Sequence, residues 1–361
     1  EWSYDTGDDV YQVAISADGE YVVVGSDKVY FFGKDSSTPL WSYSTGYDVL
    51  SVAISADGEY IAAGGYDEWV YLFEKDSSTP LWSYSPGSAV GSVAISADGE
   101  YIAAGSFEDK VYLFNKDSNT PLWSHTTGDD VLTVAISADG EYIVAGSDKV
   151  YLFDKDSSTP LWNYTTGNTV LSVAISADGE YIAASSSENV YLFDKDNSTP
   201  LWSYLIETDS TSISFSADGE YIAFGTWAGK VYLFDKDTND PLWSYVTETE
   251  ARVLSVAISA DGEYIAAGSF DDKVYLFDKD SSYGDVTPIW SYTTGGSVDS
   301  VAISADGEYI VAGSLDDKVY LFENTASGNE SGNDPPTVLN VIIEPNPAYY
   351  GQQVNFSAEW E

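Results

Sequence analysis

The chain has 361 residues, with 59 Asp and Glu against 14 Lys and Arg, and a formal charge of −45 at neutral pH. That balance argues against nucleic acid and against an anionic lipid surface, since both are held by clustered cations, while 43% apolar and 15% aromatic residues are too many for a disordered acidic chain. Cysteine is absent and histidine occurs once, as His125, which excludes disulfides, thiolate chemistry and a multi-histidine zinc site.

The first element is Trp2-Ser3-Tyr4, a short strand. No stretch reaches the roughly 18 apolar residues of a membrane span. Met is missing even at position 1, so an upstream segment such as a signal peptide is expected to have been removed. The hexapeptide Ser-Ala-Asp-Gly-Glu-Tyr then returns eight times, its Asp-Gly pairs running from Asp18 to Asp306. Their spacing, about 40 residues, is the length of one four-stranded propeller blade.

One unit shows the four strands. Ser92 to Ser96 alternates and is β-branched, giving strand a. Ala97 to Glu100 is a turn, with Gly99 supplying a positive φ. Tyr101 to Gly105 is strand b, whose small residues suit close packing between sheets. Ser106 to Asp109 turns into strand c, Val111 to Phe114. Lys116 to Pro121 is a polar loop, and Leu122 to His125 is the outermost strand d.

Strand c recurs eight times, ending at Val319 to Phe322. Strand d also recurs eight times, carrying Trp2, Trp41, Trp82, Trp123, Trp162, Trp202, Trp243 and Trp290. The chain begins on a d strand and its repeats end on a c strand. Trp2-Ser3-Tyr4 is therefore expected to complete blade eight and close the ring. The predicted fold is all-β, an eight-bladed β-propeller over residues 1–323. Residues 324–336, rich in Ser, Gly, Asn and Pro, read as a linker. Residues 337–361 change style, with Val341-Ile342-Ile343, Pro345-Asn346-Pro347 and Gly351 to Ala358 forming a separate β segment.

Ser92 to Ser106 resembles the first two strands of the tryptophan–aspartate (WD) repeat propellers. Val274 to Asp278 resembles their third strand, with Phe277 where the signature Trp would stand. The Gly-His signature is missing from every copy, and with it that family's buried His–Asp network. Val150 to Asp154 followed by Leu161 to Tyr164 is similar to the pyrroloquinoline-quinone (PQQ) type repeats, which are typically eight-bladed and use the strand d Trp to dock adjacent blades. Val338 to Glu361 resembles the start of a polycystic-kidney-disease (PKD) type immunoglobulin-like domain. Propellers followed by such domains are typical of prokaryotic cell-surface proteins. The resemblance therefore implies extracellular display, alongside other domains of a longer chain.

A side chain repeated in every blade repeats one task. The eight Trp, and the eight Tyr from Tyr21 to Tyr309, thus read as blade-docking groups. His125 stands in a column that is Tyr elsewhere and reads as a substitution rather than a base. The PQQ enzymes use a Ca²⁺-held quinone, a catalytic Asp, cofactor-binding Arg and often a vicinal disulfide. One Arg, no Cys and short connections argue against that chemistry here. Asp154 to Thr159 alternates oxygens like the start of a calcium loop, but lacks the Gly at its sixth place and the Glu at its twelfth. It reads as a solvated turn, with Ca²⁺ as the alternative, and no cofactor is predicted. Asn163, Asn197, Asn329 and Asn355 begin glycosylation sequons, which matter only in an exported chain.

In a propeller the a–b and c–d connections share one face, and the b–c and d–a connections share the other. The first face is nearly uniform in this sequence and the second is individual. A specific ligand needs individual residues, so the variable face is the expected binding face. Its candidates are Tyr47, Tyr66, Trp69, Phe107, Trp227, Arg252 and Phe270, taken as unrepeated features. Blade six diverges most, through Phe215, Phe224 and Trp227, which points to blades six and seven. No catalytic set emerges. The expected function is a non-enzymatic surface module that binds a protein or a glycan. A carbohydrate-active propeller, a quinone dehydrogenase and a structural spacer are the other readings.

Overall fold

The computed structural model describes residues 2–206, 208–248, 250–281 and 286–324. The expected linker beyond Asn324 and the PKD-like segment lie outside these residues. The described residues form strands and turns, with no helix. They build eight four-stranded antiparallel sheets arranged as a β-propeller. In blade three the order is Val90–Ile95, Tyr101–Ser106, Lys110–Asn115 and Trp123–Thr126, strands a to d. Strand a of each blade lies beside strand a of the next, so the a strands surround the axis.

The ring closes as the order of strands requires. Trp2–Asp5 pairs antiparallel with Lys318–Glu323, with Trp2 opposite Leu321 and Tyr4 opposite Val319. The first residues of the chain thus supply strand d of blade eight.

The core lies between blades rather than within one. Val111 and Leu113 of blade three, for instance, pack with Ile143, Ala145 and Phe153 of blade four. Strands b and c are buried on both faces, which is why b is built of Ile and Ala and c of Val, Leu and Phe. Strand a begins two residues earlier than its sequence pattern indicates, because a β-bulge precedes the alternating run in six of the eight blades.

The repeated turn is held by its own side chains. The Ser16 hydroxyl donates to Asp18 Oδ1 at 2.7 Å, and the same oxygen accepts the Glu20 N–H at 3.0 Å. The Tyr21 N–H donates back to Ser16 Oγ at 3.0 Å. Gly58, at φ +73°, needs its positive φ for the turn and also meets the Tyr21 ring of the preceding blade. A Cβ at Gly58 would lie 2.5 Å from Tyr21 Cδ2. Ser, Asp, Gly and Tyr of the hexapeptide are therefore all explained by the turn and by the joint it makes.

Candidate functional site

Each strand d tryptophan reaches into the next blade. Its indole lies 5.1–5.5 Å from that blade's strand c Phe at all eight joints. At seven joints the indole N–H donates to a lysine carbonyl, at 2.6–2.9 Å. Asn324 stands in the lysine's place at the eighth joint, and the buried Trp290 Nε1 has no hydrogen-bond partner among the described residues. The same seven lysines each pair with the turn Glu of their own blade.

His125 packs edge-on against Phe153 at 5.1 Å, as Tyr43 does against Phe73. Its Nδ1 lies 2.8 Å from the Ser158 carbonyl oxygen. In the calcium-like loop, Asp154 Oδ1 accepts the Asp156 N–H at 2.8 Å, which closes a local turn.

The variable face is where the individual side chains are. Two groups form, on opposite sides of the ring. Around blade two, the Tyr66 N–H donates to the carbonyl of Asp48, the residue after Tyr47, and Trp69 follows in the same b–c loop. All three side chains are exposed. Phe107, in blade three, is half-buried because its ring covers Gly91. Between blades six and seven, the Arg252 guanidinium lies 4.0 Å from the centre of the Trp227 ring. The Arg252 carbonyl accepts the Phe270 N–H at 2.8 Å.

Two readings of these residues change. Tyr66, Phe107, Trp227 and Phe270 are not unrepeated: they occupy the same first position of a longer b–c loop shared by blades two, three, six, seven and eight. Each of these loops has a positive φ near its end, at Glu68, Asp109, Gly229, Asp272 and Asp317. The divergence of blade six also splits. Phe224 is fully buried and stacks on Tyr232 at 4.8 Å, so it belongs to the core, and Phe215 lines the axis. Of the three, Trp227 alone is on the variable face.

Much of that face's acidity is engaged by tyrosine, a pattern not evident from the sequence. Strand c Tyr71 donates to Asp67 and Tyr275 to Asp271, each at 2.6 Å, and Tyr30 and Tyr151 donate to Asp27 and Asp148 at 2.8 Å. Burial first, and then these carboxylates, push the phenols well above the usual tyrosine range. Tyr11 is raised to about 12 by burial and by Asp48. Among the described residues, one group of three carboxylates comes within 4.8 Å: Asp109, Asp129 and Asp130. Burial raises the Asp130 carboxyl, and its two neighbours add to the shift. Two of the three are exposed, as surface acids commonly are.

The axis carries a further feature that sequence reasoning missed. A cavity of about 350 Å³ opens at its uniform-face end. The Ile that ends each strand a and the Ala of each Ser-Ala-Asp-Gly turn line it, with Phe215 replacing Ile in blade six. The signal was present as an Ile and an Ala in fixed register, but only closure turns it into a wall.

Fold and faces together define a closed eight-bladed β-propeller with tryptophan-docked blades. A PQQ-type repeat family model, described as that of the outer membrane protein assembly factor BamB, matches residues 66–207 and 107–331. The chain belongs to this repeat family. The model of the WD domain, G-beta repeat, matches residues 37–74, one d-a-b-c unit. No curated protein matches the chain.

Proposed function

We propose that this chain is a non-enzymatic binding module that holds a protein or glycan ligand against its variable face at a cell surface. The Trp227–Arg252 stack carries this reading. Trp227 is 46% exposed, and the chain's one arginine lies against its ring. Blade eight makes the same longer turn with Leu315, so the fold does not require an aromatic there. An exposed indole backed by a guanidinium is the composition of a binding hot spot. The family description names an assembly factor, which supports binding rather than chemistry. The engagement of the one histidine by Ser158 and Phe153 supports the same reading.

A carbohydrate is the favoured alternative to a protein. Arg252 covers one side of the indole, and the other side suits the apolar face of a sugar ring. Screening against a glycan array and a panel of purified surface proteins separates the two. Trp227→Ala and Arg252→Ala should each weaken the selected interaction at least about tenfold. Unchanged binding in both variants would overturn this site, and a wild-type signal confined to proteins would remove the glycan. Protease treatment of intact cells, followed by detection of the propeller, tests display at the surface.

A further inference from the structure

We infer that the uniform face holds a second binding site, independent of the variable face, in which the axial cavity takes the apolar side chains of a basic polypeptide segment. The wall comes first. Ile15, Ile95 and Phe215 are among the side chains that line it, and the turn alanines complete it. Those alanines hydrogen-bond to one another around the axis: the Ala17 N–H donates to Ala56, Ala56 to Ala97, and so on to Ala305, which donates back to Ala17. Among the described residues seven of the eight links form, and the missing one, Ala177 to Ala217, adjoins Phe215. The wall therefore satisfies nearly all of its own backbone and offers an apolar surface. A volume of about 350 Å³ is at the small end for ligand pockets.

The collar supplies the charge. An Asp directly follows each lining Ala, so eight Asp stand in the turns next to the mouth, outside the apolar lining itself. Each uses Oδ1 to hold its own turn, as Asp98 does for Ser96 and Glu100. The lysines of this face pair with the neighbouring Glu instead, as Lys116 does with Glu100. Among the described residues, the carboxylates at the mouth are left without a cation. An apolar pit within a ring of uncompensated negative charge is complementary to apolar side chains flanked by Arg or Lys.

The test uses the whole chain and a fluorescein-labelled peptide with Leu-Phe-Leu between two Arg pairs. A control peptide carries Gly-Ser-Gly at the centre with the same charge. Fluorescence anisotropy should show the apolar peptide binding at least about tenfold more tightly than the control. Ala97→Phe with Ala260→Phe fills the pit and should erase that preference. Should the filled protein not fold, Ile95→Thr with Ile136→Thr, which makes the wall polar without adding bulk, is expected to do the same. Asp98→Asn, Asp178→Asn and Asp261→Asn together keep the turn acceptor but remove charge. They should weaken both peptides several-fold and flatten the salt dependence. Equal binding of the two peptides, a preference that survives both wall variants, or no binding at all would overturn the site.

Discussion

Trp243 is 1% exposed and donates its indole N–H to Lys279 of the next blade, whereas Trp227 is 46% exposed and touches Arg252. The two should separate in a urea titration. Trp243→Ala is expected to cost about 3–5 kcal/mol, because it empties a packed joint. Trp227→Ala should stay within about 0.5 kcal/mol, because water already covers much of its surface. Asp299 offers a test by pH. It is half-buried in a column where other blades have Leu50, Leu132, Leu171 and Leu254. Burial holds its carboxyl above the usual aspartate range; a hydrogen bond from Ser297 opposes the shift and Asp9 adds to it. A raised folded-state value means that its favourable contribution is present at low pH and is lost as pH rises through that value. Asp299→Leu should therefore raise the melting temperature at pH 7 by about 2 °C. Calorimetry should show the gain shrinking as pH falls through the raised value, with its loss complete below about 4.

At the scale of the element, one turn does two tasks. Gly58 needs its positive φ for the turn, and it also leaves room for Tyr21 of the preceding blade. Gly46 has a similar φ of +90°, with nothing within 4 Å of where a Cβ would stand. Gly46→Ala should cost about 1 kcal/mol, for backbone strain alone. Gly58→Ala should cost about 2–3 kcal/mol, since the Tyr21 ring must also move, and chemical denaturation distinguishes the two values. The turn itself was legible in the sequence because Ser, Asp, Gly and Tyr act locally. The β-bulge in strand a was not, since it depends on how Val90 and Ser92 meet Ser106 and Gly105 across the sheet. The shared position of Tyr66 and Trp227 was also obscured, because the b–c loops differ in length from blade to blade.

At the scale of the molecule, closure gives blade eight the outer strand d that the other seven blades carry. Strand c of blade eight, Lys318–Glu323, has its outer edge covered by Trp2–Asp5. Deleting residues 1–5 should bare that edge and take the Trp2–Phe32 contact, at 5.1 Å, with it. The expected outcome is a lower melting temperature and concentration-dependent association, measured by scanning calorimetry and light scattering. A deletion variant that stays monomeric with unchanged melting would contradict this account of closure.

The sequence by itself determined the blade count, the strand order and the closure, because each rests on a pattern repeated eight times along the chain. It also separated a uniform face from a variable one, since alternate turns of an antiparallel sheet must fall at opposite ends. Only the tertiary structure decided which individual residues share a neighbourhood. Arg252 meets Trp227, Tyr71 meets Asp67, and Phe224 turns inward while Trp227 does not. The axial pit belongs to the same class. Its walls come from eight blades at once, so no single repeat encodes a cavity, and the eight Asp around it become a collar only when the ring is closed.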